Sequence, residues 1–180
     1  MKIISSDTIA VIVDMQDNLL PHMHEEGQLL GNTGKLIDGL KILDIPFLIT
    51  QQYTRGLGNS HQKILRRFPD MEYIEKISFS CCNEPQFIAE LKRSGRKNVI
   101  LFGIEAHVCV LQTCLDLLSY GYKAVVVSDC ISSRNHHDKS VAIERMRQEG
   151  AIITTFESIL FELTTVAGTD TFKKISKIVK

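Results

Sequence analysis

Three side chains far apart in the chain carry groups that together could perform acyl transfer: the carboxyl of Asp14, the ammonium of Lys76 and the thiol of Cys109. A deprotonated thiol attacks carbonyl carbon, a neighbouring carboxylate can take its proton, and an ammonium keeps that carboxylate ionised and offsets negative charge. The surroundings of Cys109 suit this use. "LFGIEAHVCVLQTCLDLL" (101–118) is an apolar run, a break containing a glycine, and then an amphipathic pattern. A strand therefore turns directly into a helix, with the thiol at the junction. Unpaired N–H groups and the dipole of a first helical turn favour a thiolate, and the same N–H groups can hold an oxyanion. Each residue also has a plainer use. Asp14 would serve as an N-cap before "MQDNLL", Lys76 as a solvated strand-end lysine, and Cys109 as a small core residue.

Bringing such groups together requires a scaffold, and the chain reads as one. Short β-branched runs recur at 8–14, 46–50, 99–104, 124–129 and 151–157, with a weaker strand at 71–78. They are apolar throughout, as strands covered on both faces must be. Helical patterns lie between them at 34–43, 84–94, 110–119 and 139–148, and glycines at 95, 121 and 150 mark helix ends. The expected fold is a three-layer α/β/α, Rossmann-like domain with a mostly parallel sheet of about six strands. One domain spans 1–180, with two C-terminal helices from about 158, broken at Gly168. Ligands of such sheets bind beyond the carboxyl ends of the strands. That rule selects Asp14, Gln51 and Gln52, Lys76, 105–109 and 129–135 as one rim.

Composition narrows the function classes. The 21 basic and 21 acidic side chains balance, so neither nucleic acid nor an anionic membrane is an expected partner. The apolar stretch 9–13 is too short for a signal or a membrane span, which points to a soluble, cytoplasmic protein. Five cysteines, with no CxxC spacing, argue against a disulfide framework or a zinc knuckle, and Cys81 and Cys82 read as ordinary thiols. "GLGNSH" (56–61) lacks the third glycine of a dinucleotide site. The six histidines have no ligand spacing, and His136 with His137 reads as a polar loop before the helix at 139.

The order and surroundings of Asp14, Lys76 and Cys109 resemble the isochorismatase-like cysteine hydrolases, a superfamily that includes nicotinamidases, carbamoyl-amide hydrolases and isochorismatases. Four segments carry the resemblance: "AVIVDMQDNLLP", "EKISFSCC", "GIEAHVCVLQTCLDLLSYGY" and "VVVSDCISSR". The resemblance implies Asp14 as proton acceptor and donor, Lys76 as its electrostatic partner and Cys109 as nucleophile. It also implies a cis peptide between Ile104 and Glu105, with the Glu105 and Cys109 backbone amides forming an oxyanion hole. Gln51, Gln52, Tyr53, Phe79 and His107 are the expected substrate pocket, and homo-oligomers are implied.

Two departures refine the expectation. Nicotinamidases carry an Asp-x-His pair that helps bind a metal, whereas here Gln52 and Thr54 occupy those places in "TQQYTRGLGNSH", so no metal or other cofactor is expected. That stretch instead resembles the isochorismatase domain-containing branch, although residue 106 is Ala where that branch usually has Thr. True isochorismatases lack the cysteine, so the expected substrate is a small amide, carbamoyl or related acyl compound hydrolysed through a thioester. The alternative is a catalytically weak protein of this fold that binds a small molecule or partner protein.

Overall fold

The computed structural model describes residues 2–180. Six parallel strands form one sheet: β1 (Thr8–Val13), β2 (Phe47–Gln52), β3 (Ile74–Lys76), β4 (Asn98–Ile104), β5 (Lys123–Ser132) and β6 (Ile152–Thr154), in the spatial order β3-β2-β1-β4-β5-β6. Every residue of β1 and β4 is buried, which is why these strands read as unbroken apolar runs. Between them Val13 pairs with Gly103. Gly103 has φ +124°, and a Cβ there would lie 2.1 Å from the Val13 carbonyl oxygen, so only glycine permits this approach.

Helices cover both faces. On one side α1 (Glu26–Ile42) packs with α7 (Phe156–Thr164) and α8 (Asp170–Val179). The other side carries α4 (Pro85–Ser94), α5 (Leu111–Ser119) and α6 (His136–Gln148), and two single-turn helices, α2 (Thr54–Leu57) and α3 (Gln62–Leu65), lie in the connection after β2. The architecture is thus the three-layer α/β/α sandwich expected. Among the described residues no helix is long and apolar enough to cross a membrane.

Several boundaries differ from the sequence reading for identifiable reasons. The first long helix starts at Glu26 rather than 34; Gly27, Gly31 and Gly34 weaken its propensity, but burial of Leu29 and Leu30 holds the extra turns in place. Asn135 caps α6 by accepting from the His137 N–H, so His136 and His137 belong to the helix and not to a preceding loop. Strand β5 runs on to Ser132 because its register against β4 jumps between Leu101 and Gly103, which absorbs the polar Ser128 and Asp129. Gln51 and Gln52 fall within β2, not after it. In the tail, Ile159, Leu160, Leu163 and Ile175 are buried within the same subunit. Phe161, Phe172, Ile178 and Val179 are half-buried, and Val166 is exposed.

Candidate active site

The carboxyl ends of β1, β2 and β3 and the turn after β4 converge on one buried cluster. Asp14 follows β1 in a left-handed conformation, φ 48°, which aspartate tolerates better than most side chains. Lys76 ends β3, two strands away across β2. With strands spaced about 4.8 Å apart, only a long side chain bridges that gap. The Lys76 Nζ lies 2.7 Å from Asp14 Oδ2, and neither side chain has any exposed surface. The ammonium has three hydrogens and three acceptors: Asp14 Oδ2 and, at 3.0 Å each, the carbonyls of Ser78 and Phe79. Burial works against its charge, yet the charge and the hydrogen bond of Asp14 hold its pKa above that of an ordinary lysine. Thr50 Oγ1 donates to the other carboxylate oxygen, Oδ1, at 2.7 Å.

Cys109 sits in a π-helical turn, Ala106–Val110, wound immediately before α5. Such widened turns are frequent at functional sites. The preceding peptide, Ile104–Glu105, is cis. Cys109 is 4% exposed, and its Sγ donates to Gln52 Oε1 at 3.3 Å. Burial first, and then the negative charge of Asp14, push the thiol well above the usual cysteine range, against a lowering contribution from Lys76. An Sγ that donates to Gln52 Oε1 carries its hydrogen, so this geometry holds Cys109 as a thiol. The thiolate suggested by a helix start alone gives way to desolvation, and deprotonation needs an acceptor beside it.

The remaining expected pocket residues are dispersed around this cluster. Gln52 is held against Cys109, with its Nε2 donating to the Ile77 carbonyl at 3.1 Å. Gln51 points the other way, as successive strand residues do, and donates to Ser60 Oγ at 2.9 Å. Tyr53 and Phe79 are each about half exposed on the rim. His107 Nδ1 shares a hydrogen bond with Ser133 Oγ at 2.9 Å, and the ring lines a hollow of about 360 Å³ with Leu111, Val141 and Arg145. Glu105 accepts from Arg134 Nε at 3.0 Å. Among the described residues no group of three or more His, Cys, Asp or Glu side chains is placed to hold a metal ion, and Thr54 is engaged with Glu75.

Sequence reasoning missed three participants. Thr50 looked like one more strand residue, although its place at the end of "PFLIT" put it on the rim. Gln16, fully buried, donates to the carbonyls of Gln52 and Gly58 and accepts from the Gln52 N–H, fastening the β2–α2 loop to the end of β1. Cys81, read as an ordinary thiol, lies with its Sγ 3.6 Å from Thr50 Oγ1.

The isochorismatase domain profile matches residues 8–158. Isochorismatase domain-containing protein 2A of Mus musculus is 35% identical over 181 residues, covering 99% of this chain and 85% of its own. Among solved structures, the MAR1 ribonuclease of Caenorhabditis elegans is 35% identical with a TM-score of 0.93, covering 99% of this chain and 92% of its own. The YcaC gene product of Escherichia coli, described as an octameric hydrolase of unknown specificity, is 25% identical with a TM-score of 0.94, covering 99% and 89%. The profile match over most of the chain, together with relatives of this similarity, establishes that the chain belongs to the isochorismatase family.

Proposed function

We propose that the protein is a cysteine-dependent hydrolase of small amide, carbamoyl or related acyl compounds, acting through a thioester. The observation that carries this reading is the fully buried Asp14–Lys76 pair set against the Cys109 thiol. A buried carboxylate whose two oxygens are occupied by Lys76 and Thr50 is oriented rather than merely paired, and the neighbouring thiol needs a proton acceptor. In this reading Asp14 takes the proton of Cys109 as sulfur attacks the carbonyl carbon. Backbone N–H groups of Glu105 and Cys109 receive the oxyanion. Collapse expels the amine, which takes the proton back from Asp14, and leaves the thioester. Asp14 then accepts a proton from water as its oxygen attacks, releasing the acid and the thiol. Lys76 stays protonated and offsets the negative charge passed between sulfur and carboxylate.

The test is a screen of small amides, carbamoyl compounds and esters, with detection of ammonia or acid and with isochorismate as the expected negative. Single-stranded RNA belongs in the screen because one similar structure is named a ribonuclease. Cys109→Ala and Cys109→Ser should abolish hydrolysis while leaving the thermal melt unchanged, since the covalent route is lost. Unchanged turnover in Cys109→Ala would sink the mechanism.

The near-complete burial of Cys109 favours a second reading, a member with weak turnover that binds a small molecule or partner protein. Binding without release of ammonia or acid across the screen would select it. We also propose a homo-oligomer, supported by the octameric relative and by large apolar side chains exposed beside the site, Tyr53, Ile77 and Phe79. A monomeric mass by light scattering would refute it.

A further inference from the structure

We propose that Thr50 and Cys81 form a hydrogen-bonded positioning pair that holds Asp14 as the proton acceptor, making Cys81 a working part of the site. The inference rests on the reading of Asp14 as the group that takes the Cys109 proton. Thr50 Oγ1 lies 2.7 Å from Asp14 Oδ1 and 3.6 Å from Cys81 Sγ, and all three residues are fully buried. A hydroxyl has one hydrogen. Because Thr50 commits it to the carboxylate, the contact with Cys81 is made with sulfur donating to oxygen. The order is therefore Cys81 S–H to Thr50 Oγ1, then Thr50 O–H to Asp14 Oδ1.

Two further features keep that order in one direction. Burial, and next the Asp14 charge, push the Cys81 thiol up to about 11, so it keeps the hydrogen it donates. The Cys81 backbone is tied down as well: its N–H donates to Thr113 Oγ1 of α5 at 3.0 Å, and Ser80 caps the short turn Cys81–Asn83. The titratable groups facing Asp14 are Lys76 from β3, Cys81 from this turn and Cys109 from the π-helical turn. Lys76 occupies Oδ2 and Thr50 occupies Oδ1, so the carboxylate plane is fixed from both sides. A donor to an ionised carboxylate stabilises that form. Removing the donor frees Oδ1, so the carboxylate is no longer held in the orientation from which it accepts the proton of sulfur.

The test needs no substrate. The rate of Cys109 alkylation by iodoacetamide is followed from acid to alkaline pH, with the modified residue assigned by peptide mass spectrometry. The unmodified protein should show a rate plateau near neutral pH, sustained by transfer of the thiol proton to Asp14. Thr50→Val should lower that plateau about tenfold, the equivalent of a lost hydrogen bond to a charged group. Thr50→Ser should return it. Cys81→Ala should lower it by less, and Cys81→Ser, which keeps a donor, should restore it. Thermal melts of every variant separate these effects from loss of folding, and if Thr50→Val does not fold, the two Cys81 variants decide. An unchanged plateau in the folded Thr50→Val and Cys81→Ala proteins, with the plateau lost in Asp14→Asn, overturns the positioning pair alone. A plateau that survives Asp14→Asn overturns the reading of Asp14, and this inference with it.

Discussion

Lys76 closes the buried polar cluster of the candidate site. Its Nζ satisfies a carboxylate and two backbone carbonyls with no exposed surface of its own. Arginine would not replace it, because a planar fork cannot point three donors at three convergent acceptors. Lys76→Met leaves the Asp14 charge buried without its partner and the Ser78 and Phe79 carbonyls without this donor. Removing one member of a buried pair costs about 3–5 kcal/mol. Urea unfolding of Lys76→Met should show a loss of that size, and hydrolysis should fall with it. A stability equal to that of the unmodified protein would mean that the pair is less tightly closed than its geometry indicates.

At the scale of elements, the site depends on how strand ends are fastened to one another. Asp14 and Tyr53 both leave their strands with positive φ, 48° and 42°, so the chain turns sharply at the ends of β1 and β2. Gln16 holds these ends together: Asp14 precedes it by two residues, and its carboxamide makes three hydrogen bonds to the backbone of Gln52, at the end of β2, and of Gly58. Gln16→Ala leaves the Gln52 and Gly58 backbone groups without those partners, at a cost of about 2–3 kcal/mol. Because Gln52 rather than the Asp14–Lys76 pair loses its support, KM for any substrate found should rise more than kcat falls. Chemical denaturation and steady-state kinetics check the two halves. A fall in kcat at constant KM would place Gln16 with the reacting groups instead.

For the whole molecule, five buried thiols in one small domain tie stability to alkaline pH. Burial is the leading cause that raises Cys81, Cys82, Cys109, Cys114 and Cys130 above their ordinary value of 9.0. A group whose pKa is raised on folding contributes stability that is complete below its unfolded value and is lost as pH rises toward its folded value. Above pH of about 9 the unfolded chain binds fewer protons than the folded one, so stability falls with pH. Each thiol ionised only in the unfolded chain contributes about 1.4 kcal/mol per pH unit to that fall. Urea unfolding at a series of alkaline pH values should show a steepening loss, and Cys130→Ala should flatten the slope by one thiol's share. A slope unchanged by that substitution would remove the thiols as its source.

The residues of the candidate site, and the parallel sheet that positions them, were legible in the amino-acid sequence because burial on both faces leaves a local mark. The strands at β1, β4 and β5 are apolar runs, and chemistry-bearing residues fall where those runs stop. Asp14, Lys76 and Cys109 could be named on that basis and on the resemblance of their surroundings. Which groups meet was not local. Lys76 finds Asp14 across β2 through a strand order that no single segment specifies, and the partners Thr50, Cys81 and Gln16 stand 31 to 42 residues from the groups they bond. The protonation state of Cys109 went the same way. A first helical turn favours a thiolate as long as water is near, but packing removes the water and places Asp14 alongside, and desolvation then outweighs the local dipole. Local pattern records which side chains are buried; folding decides what each buried group must share its space with.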